Sequence, residues 1–339
     1  MRRTALVLIT ALATALGTAL PLVPSPAAAA SAPQTVTTGK AIPWGLAFLP
    51  DGSAVFTERN TRKIWEVKPG QPARHIYTVT EAKWEGEGGL LGIAVAADYA
   101  QNPYLYVYYT TANDNRIAQI KRGSTARPRP IVTGIPRANI HNGGRIVFGP
   151  DGFLYAGTGD AGTSSRSQDT ASLGGKILRV TKTGAAAPGN RWGRVFSMGH
   201  RNVQGLVFDR SRRLFASELG QNTWDEVNYI RGGSNYGWPT VEGRAGDERF
   251  VDPIWQAAPS EASPSGIGIK GDSLYVAALR GERVWRLRTD YGTSVVSATS
   301  MFTGTYGRVR AVMQNPKDGS MWLMTSNNND RVLRFTRFP

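Results

Sequence analysis

The chain has no cysteine among its 339 residues. Thiol nucleophiles, disulfide staples and cysteine-bound zinc are therefore excluded, and the fold must be held by apolar packing. Histidine is nearly as scarce. His75, His141 and His200 are the only three, which argues against a multi-histidine metal centre. Beyond residue 30 no apolar run reaches the ~20 residues that a membrane-crossing helix needs, so no stable membrane insertion is expected. No amphipathic helical period of useful length is present there either. Negative charge is in deficit: Asp and Glu number 25 against 40 Lys and Arg, a formal charge of +15. The basic residues are dispersed, with no basic tail and no arginine-rich helix, so nucleic acid is not an expected partner. Their excess reads as solubility with attraction to anionic envelope polymers, as a site for an anionic small molecule, or as both.

What the sequence does have begins with an address. Met1-Arg-Arg3 is a positive start, Ala5 to Leu22 is apolar, and Pro24-Ser-Pro-Ala-Ala-Ala-Ala30 supplies small residues for a peptidase. Residues 1–30 are expected to be a signal peptide cleaved near Ala30, with an uncleaved anchor helix as the alternative. The mature chain, 31–339, would then be secreted or extracytoplasmic and would form one domain.

A repeat runs through that mature chain. An apolar strand, a turn that often carries Asp-Gly, and a second apolar strand recur in six places. They begin at Gly45, Gly92, Arg145, Gly205, Gly268 and Val312. Asp-Gly tolerates positive φ, so each copy reads as a β-hairpin. A third strand follows several of them: Lys63–Val67, Arg116–Ile120, Lys176–Val180, Arg283–Leu287 and Arg331–Phe335. The copies lie about 50–60 residues apart, the period of a propeller blade of four strands. The expected fold is all-β, a six-bladed β-propeller of four-stranded antiparallel blades. A pair of β-sandwiches is the rival, but it gives no reason for a regular period.

In a propeller the loops of one face ring a central channel, so distant motifs can meet. His141, in Asn139-Ile-His-Asn-Gly-Gly-Arg145, sits beside two glycines at the start of a strand and can act as a base near neutral pH. Its bland alternative is a turn histidine with a local hydrogen bond. Arg201-Asn202 follows Gly199-His200 and offers a planar fork for carboxylates, or is a surface loop. Glu218, Asp225 and Glu226 lie near Gly220, Gln221 and Tyr236, a mixture of carboxylates and backbone oxygens that suits calcium or a solvated acidic loop. Arg308-Val-Arg310 alternates along an extended segment, which would point both side chains the same way. Arg280 occupies a comparable loop one blade earlier.

Together these segments resemble the PQQ-dependent aldose sugar dehydrogenases, of which soluble glucose dehydrogenase is the best-known member. The resemblance covers nearly the whole mature chain. It is carried by Trp44-Gly-Leu-Ala-Phe-Leu-Pro-Asp-Gly52, Gly86-Glu-Gly-Gly-Leu-Leu-Gly92, His141-Asn-Gly-Gly-Arg145 and Gly159-Asp160 with Leu173-Gly-Gly-Lys-Ile-Leu-Arg179. Gly199-His-Arg-Asn202 and Asn235-Tyr-Gly-Trp-Pro239 complete it. It implies that His141 is the base for the sugar C1 hydroxyl and that Arg201, with Asn202 beside it, polarises the quinone. Gly220 and Gln221 would hold a catalytic calcium through their carbonyls. Arg280, Arg308 and Arg310 would bind the carboxylates of pyrroloquinoline quinone (PQQ). Glu87 would stand where a glutamine contacts the site, and Glu226 and Tyr236 would ligate a second calcium.

Three departures separate the chain from glucose dehydrogenase proper. Ile140 stands where that enzyme has an acid, Gln221 replaces a proline, and the chain is shorter. They resemble the broad-specificity aldose branch and speak against strict glucose selectivity and dimer formation, so a monomer is expected; the family resemblance itself implies an external electron acceptor. The readings to be weighed against this one are a calcium-dependent lactonase-type hydrolase and a propeller that only binds.

Overall fold

The computed structural model describes residues 32–290, 292–327 and 329–339; the expected signal peptide lies outside them. The chain forms six sheets, each of four antiparallel strands. The first strands of the blades are Pro43–Phe48, Leu90–Val95, Ile146–Phe148, Val203–Phe208, Pro264–Lys270 and Val309–Gln314. Each neighbours the first strand of the blades on either side, so they close into the inner ring of a six-bladed propeller. The only helical element among the described residues is a single 3-10 turn, Ser164–Ser167.

Burial grades outward as this geometry requires. Leu90–Val95 is buried along almost its whole length because it faces a neighbour on each side, and such strands read as continuous apolar runs. The outermost strand Val295–Met301 is mostly exposed. The core is not central. It divides into six apolar clusters, one in each seam between adjacent blades. In one seam Phe48 meets Trp322 edge to face at 5.4 Å. In another, Tyr155 is flanked by Phe196 at 5.2 Å and Phe208 at 5.0 Å. Such pairs contribute about 0.5–1.5 kcal/mol beyond their area.

All six hairpins expected from the repeat are present, and the third strands Lys63–Val67 and Lys176–Val180 match their expected bounds. Blade four supplies one difference. Its third strand is Asp225–Ile230, so Asp225 and Glu226 belong to a sheet and not to a solvated loop.

The last blade is completed from the other end of the chain. Gln34–Lys40 pairs antiparallel with Asp330–Phe335, with Thr35 opposite Leu333 and Lys40 opposite Asp330. Asp330 fixes the junction: one carboxylate oxygen accepts from the Ile42 N–H at 3.1 Å, the other from Thr325 Oγ1 at 2.8 Å.

The hairpin topology also fixes where a site forms. Because the first two strands of each blade run antiparallel, the start of the first and the end of the second share one edge of the sheet. Val203 pairs with Glu218, Pro264 with Ala278 and Val309 with Thr325. Glu87, His141, Arg201 and Arg308 precede first strands, while Asp160, Gly220 and Arg280 follow second strands. All therefore belong to one face of the ring.

Ring closure yields a prediction. A chain beginning at Ala41 leaves the strand Asp330–Phe335 as an open edge. It is expected to melt at lower temperature than the chain beginning at Ser31 and to aggregate as concentration rises. Calorimetry and light scattering at two concentrations check this; equal melting of the two chains would refute it.

Candidate active site

His141 is placed by backbone contacts that leave no room for side chains. A Cβ on Gly159 would lie 1.8 Å from the His141 carbonyl oxygen, and one on Gly86 would lie 2.1 Å from the Asn139 oxygen. These two glycines let the segment 139–141 wedge between neighbouring loops. His141 itself has φ 53, a left-handed conformation uncommon outside glycine. Its N–H donates to Glu87 Oε2 at 2.9 Å, and its carbonyl accepts from the Ala161 N–H at 3.1 Å. The strain is thus held from both sides.

The ring of His141 is oriented by Asp160, an acid that the sequence motifs include but to which they assign no role. Nδ1 lies 2.7 Å from Asp160 Oδ1. Asp160 is buried, and its other oxygen accepts from Trp238 Nε1 at 2.9 Å. Burial alone would raise the Asp160 carboxyl. The hydrogen bond and charge of His141, with donation from the Gly162 N–H and Trp238, outweigh burial and hold it below the usual carboxylate range. A proton on Nδ1 directed at Asp160 leaves Nε2 as the free, basic nitrogen.

Arg201 sits across from this pair. Its backbone carbonyl accepts from the Asp160 N–H at 2.8 Å, and its guanidinium lies 5.4 Å from the Trp238 ring centre. Nη1 donates to the Leu219 oxygen at 3.2 Å, while Nε is buried without a partner. Beneath it runs a buried polar string. His200 Nδ1 is 2.8 Å from Glu218 Oε2, His200 Nε2 is 2.9 Å from Ser197 Oγ, and the other Glu218 oxygen accepts the Arg201 N–H. Serine, histidine and glutamate in this order resemble a nucleophile triad, but Ser197 and His200 are fully buried. The string supports Arg201. Asn202 Oδ1 accepts from the Gly143 N–H at 3.0 Å, which ties blade four to the His141 loop, and its Nδ2 is buried and unpartnered.

The expected arginines separate in depth. Arg310 is buried in the inner ring, at a register shift between Val309 and Ala311. Its Nη1 donates to Gln204 Oε1 at 3.0 Å, and its Nε has no partner. Arg308 and Arg280 are exposed. The shift explains why Arg308 and Arg310 do not share one depth, as simple alternation had implied. No hydrogen bond or ion pair among the described residues ties Arg280 to the others.

Two further arginines join the cluster without having been singled out. Arg145 is buried, lies 4.4 Å from the Trp44 ring centre and donates to the Gln204 carbonyl at 2.7 Å. Arg59 lies within the fields of Arg308 and Glu87. Burial first, then repulsion from Arg59, Arg308 and Arg145, push the Arg310 guanidinium down to about 9, with Glu87 opposing. Burial alone pushes Arg145 to about 9. Arginine does not shed its proton near neutral pH. Buried, still charged and repelling its neighbours, Arg310 is short of negative charge, and the unpartnered N–H groups of Arg201, Asn202 and Arg310 are short of acceptors. A planar tricarboxylate quinone such as PQQ satisfies both, so the residues present fit it.

The opposite demand appears at the edge of blade four. Burial, then the charge of Glu218, push the Glu226 carboxyl up. Burial raises Asp225 to about 6. Glu226 accepts from the Gly243 N–H at 2.7 Å and from Asn228 Nδ2 at 3.0 Å. Glu218, Gly220, Glu226, Tyr236 and Glu242 line a cavity of about 10 Å³, room for one water-sized particle. Among the described residues no three acid or histidine side chains converge on one point. Oxygens of carbonyls and carboxylates around a small cavity fit a hard cation. Gln221 is exposed beside Gly220. Tyr236 is buried against His200, with ring centres 4.8 Å apart. Its hydroxyl is occupied: it donates to the Tyr229 oxygen at 2.7 Å and accepts from the Arg231 N–H at 2.8 Å.

A profile of the family described as Glucose / Sorbosone dehydrogenase matches residues 40–334. A PQQ-bound aldose sugar dehydrogenase from Streptomyces coelicolor superposes with a TM-score of 0.86 at 45% identity, over 89% of this chain and 96% of that one. Quinoprotein glucose dehydrogenase B from Acinetobacter calcoaceticus is 30% identical over 66% of this chain and 54% of its own length. An aldose sugar dehydrogenase from Escherichia coli is 26% identical over 86% of this chain and 89% of its own length.

Asp160 generates a pH prediction. Its folded value is depressed, so the stability it contributes is complete above the ~3.9 of an unfolded aspartate and is lost as pH falls through the lower folded value. Asp160→Asn is expected to lower the unfolding free energy by about 1.5–3 kcal/mol at pH 6. The gap should shrink by pH 3. Denaturant titrations at both pH values check this, and a constant gap would refute it.

Proposed function

The chain belongs to the glucose/sorbosone dehydrogenase family, and from that premise we propose that it oxidises aldose sugars at C1 to the lactone with PQQ as its cofactor. The observation that carries the reading is a histidine–aspartate pair with a free Nε2, set beside buried guanidinium and amide groups that lack acceptors. When bound, the quinone supplies the acceptor for the hydride that leaves C1. The chain's own residues do the rest. His141 Nε2 takes the proton of the C1 hydroxyl, and Asp160 stabilises the imidazolium that forms. Glu87 holds the His141 backbone. Arg201, with Asn202 beside it, places positive charge where negative charge develops on the cofactor. Arg310, Arg308 and Arg280 bind the cofactor carboxylates, with Arg310 the deepest of the three.

Calcium is part of the same proposal. The Gly220 and Gln221 carbonyls would hold one ion near the cofactor. Glu226 would serve a second, and the Tyr236 hydroxyl, being occupied, leaves that residue its backbone carbonyl. The exposed Ile140, in place of an acid beside His141, favours breadth among sugars. We place the enzyme outside the cytoplasm as a monomer that hands electrons to an external acceptor. No helix among the described residues is long and apolar enough to cross a membrane. The hydrolase alternative needs a channel metal held by side-chain carboxylates, and the arginine-rich wall suits an anion better.

The test is a titration of the purified protein with PQQ in calcium, following dye reduction with glucose and other aldoses. Saturable activation is expected. Lactone hydrolysis without PQQ would favour the hydrolase, and neither activity would leave a binding propeller. In the activated enzyme, His141→Ala is expected to lower kcat by about 10²–10⁴ with PQQ affinity changed by only a few-fold. An unchanged rate would remove His141 from the chemistry.

A further inference from the structure

Glu242 lies in the long connection between the third and fourth strands of blade four and was not singled out by its sequence. One of its carboxylate oxygens, Oε1, accepts from four consecutive backbone N–H groups. These belong to Gln221 at 2.7 Å and to Asn222, Thr223 and Trp224 at 3.1 Å each. The preceding amide, Gly220 N–H, donates to Asp225 Oδ1 at 2.9 Å. Five successive amides of one loop are therefore directed at carboxylates. Consecutive N–H groups converging on one point form an anion-binding nest, and here the anion is a side chain of the same protein.

The consequence follows from the peptide unit. In a planar trans peptide the N–H and the preceding C=O point in opposite directions. The Gln221 N–H shares its peptide with the Gly220 carbonyl, and the Asn222 N–H shares its peptide with the Gln221 carbonyl. Clamping these two N–H groups on Glu242 turns the Gly220 and Gln221 carbonyls to the other side of the loop. The carbonyl before them marks where that side faces: Leu219 O accepts from Arg201 Nη1 at 3.2 Å. The clamp also forbids a side chain at Gly220, where a Cβ would lie 2.7 Å from Glu242 Oε1 and 1.8 Å from the Trp224 oxygen.

We propose that Glu242 is a positioning residue for calcium: its carboxylate orders the Gly220–Trp224 loop and aims the Gly220 and Gln221 carbonyls at the cation, without ligating it. The proposal rests on the reading that these carbonyls hold calcium. Donation of each N–H to an anion also polarises its peptide and makes the carbonyl oxygen a stronger donor.

The experiment is calorimetric titration of the apo-protein with calcium chloride alone, for the wild type, Glu242→Gln and Glu242→Ala, joined to hydrogen exchange of amides 221–224 without calcium. Glu242→Ala removes the acceptor. It is expected to weaken calcium binding by about 10–100-fold, the usual effect of losing an outer-shell partner, and to lose protection at these amides. Glu242→Gln keeps a carbonyl oxygen in the nest and is expected to stay within a few-fold of the wild type. Wild-type affinity in Glu242→Ala would overturn this proposal alone. Equal loss in both variants would overturn it in favour of direct ligation by Glu242. A wild-type chain that takes up no calcium would sink the calcium reading and this proposal with it.

Discussion

Uncompensated positive charge at the centre of the ring is the constraint on which the rest of this structure depends. Arg145 and Arg310 are buried on inner-ring segments and meet no carboxylate in an ion pair among the described residues; what they meet are carbonyls, hydroxyls and the face of Trp44. An unpaired buried charge costs several kcal/mol after relaxation. A protein held only by packing can carry that cost because its apolar core is spread over six separate seams. The site thus holds positive charge that no carboxylate of an ion pair among the described residues neutralises, and the proposed anionic cofactor would relieve that repulsion on binding.

Charge is also partitioned across the site. Arg59, Arg308 and Arg310 repel one another on one side, with Glu87 the acid that reaches them. On the other side Asp160, Glu218 and Glu242, with Glu87 again, act on Arg201 and oppose its burial only in part. Arg201 is the cation on the acidic side. The arrangement sets arginines that repel one another beside a group of carboxylates within one loop cluster.

The fold was largely legible because its signals are local. The turns at Asp51-Gly52, Asp151-Gly152 and Asp318-Gly319 adopt positive φ at their glycines, and each joins the two inner strands of a blade. Signals failed where partners are distant or burial is slight. Val295–Met301 is exposed and carries no apolar alternation. Gln34–Lys40 is polar and reveals itself only through a partner at the far end of the sequence. Asp225–Ile230 opens with two acids, which mimics a loop until its neighbours on both sides are known. The site divides in the same way. His141 and Arg201 stand beside glycines that advertise close approach. Asp160, Arg145 and Glu242 matter through contacts across 19, 59 and 20 positions of sequence, which spacing does not encode.

Closure of the ring by the first strand has a consequence for how the molecule is made. Gln34 and Arg334 sit 300 positions apart, yet they lie side by side in one sheet. At about 5–20 residues per second, roughly 15–60 s of synthesis separates them. Throughout that interval the first strand has no partner, so the ring cannot close before Asp330–Phe335 is made, on whichever side of the membrane the chain folds. Pairing with Asp330–Phe335 converts an open arc into a closed circle. Any factor that shields a lone β-edge would therefore have to cover Gln34–Lys40 until Asp330–Phe335 is available.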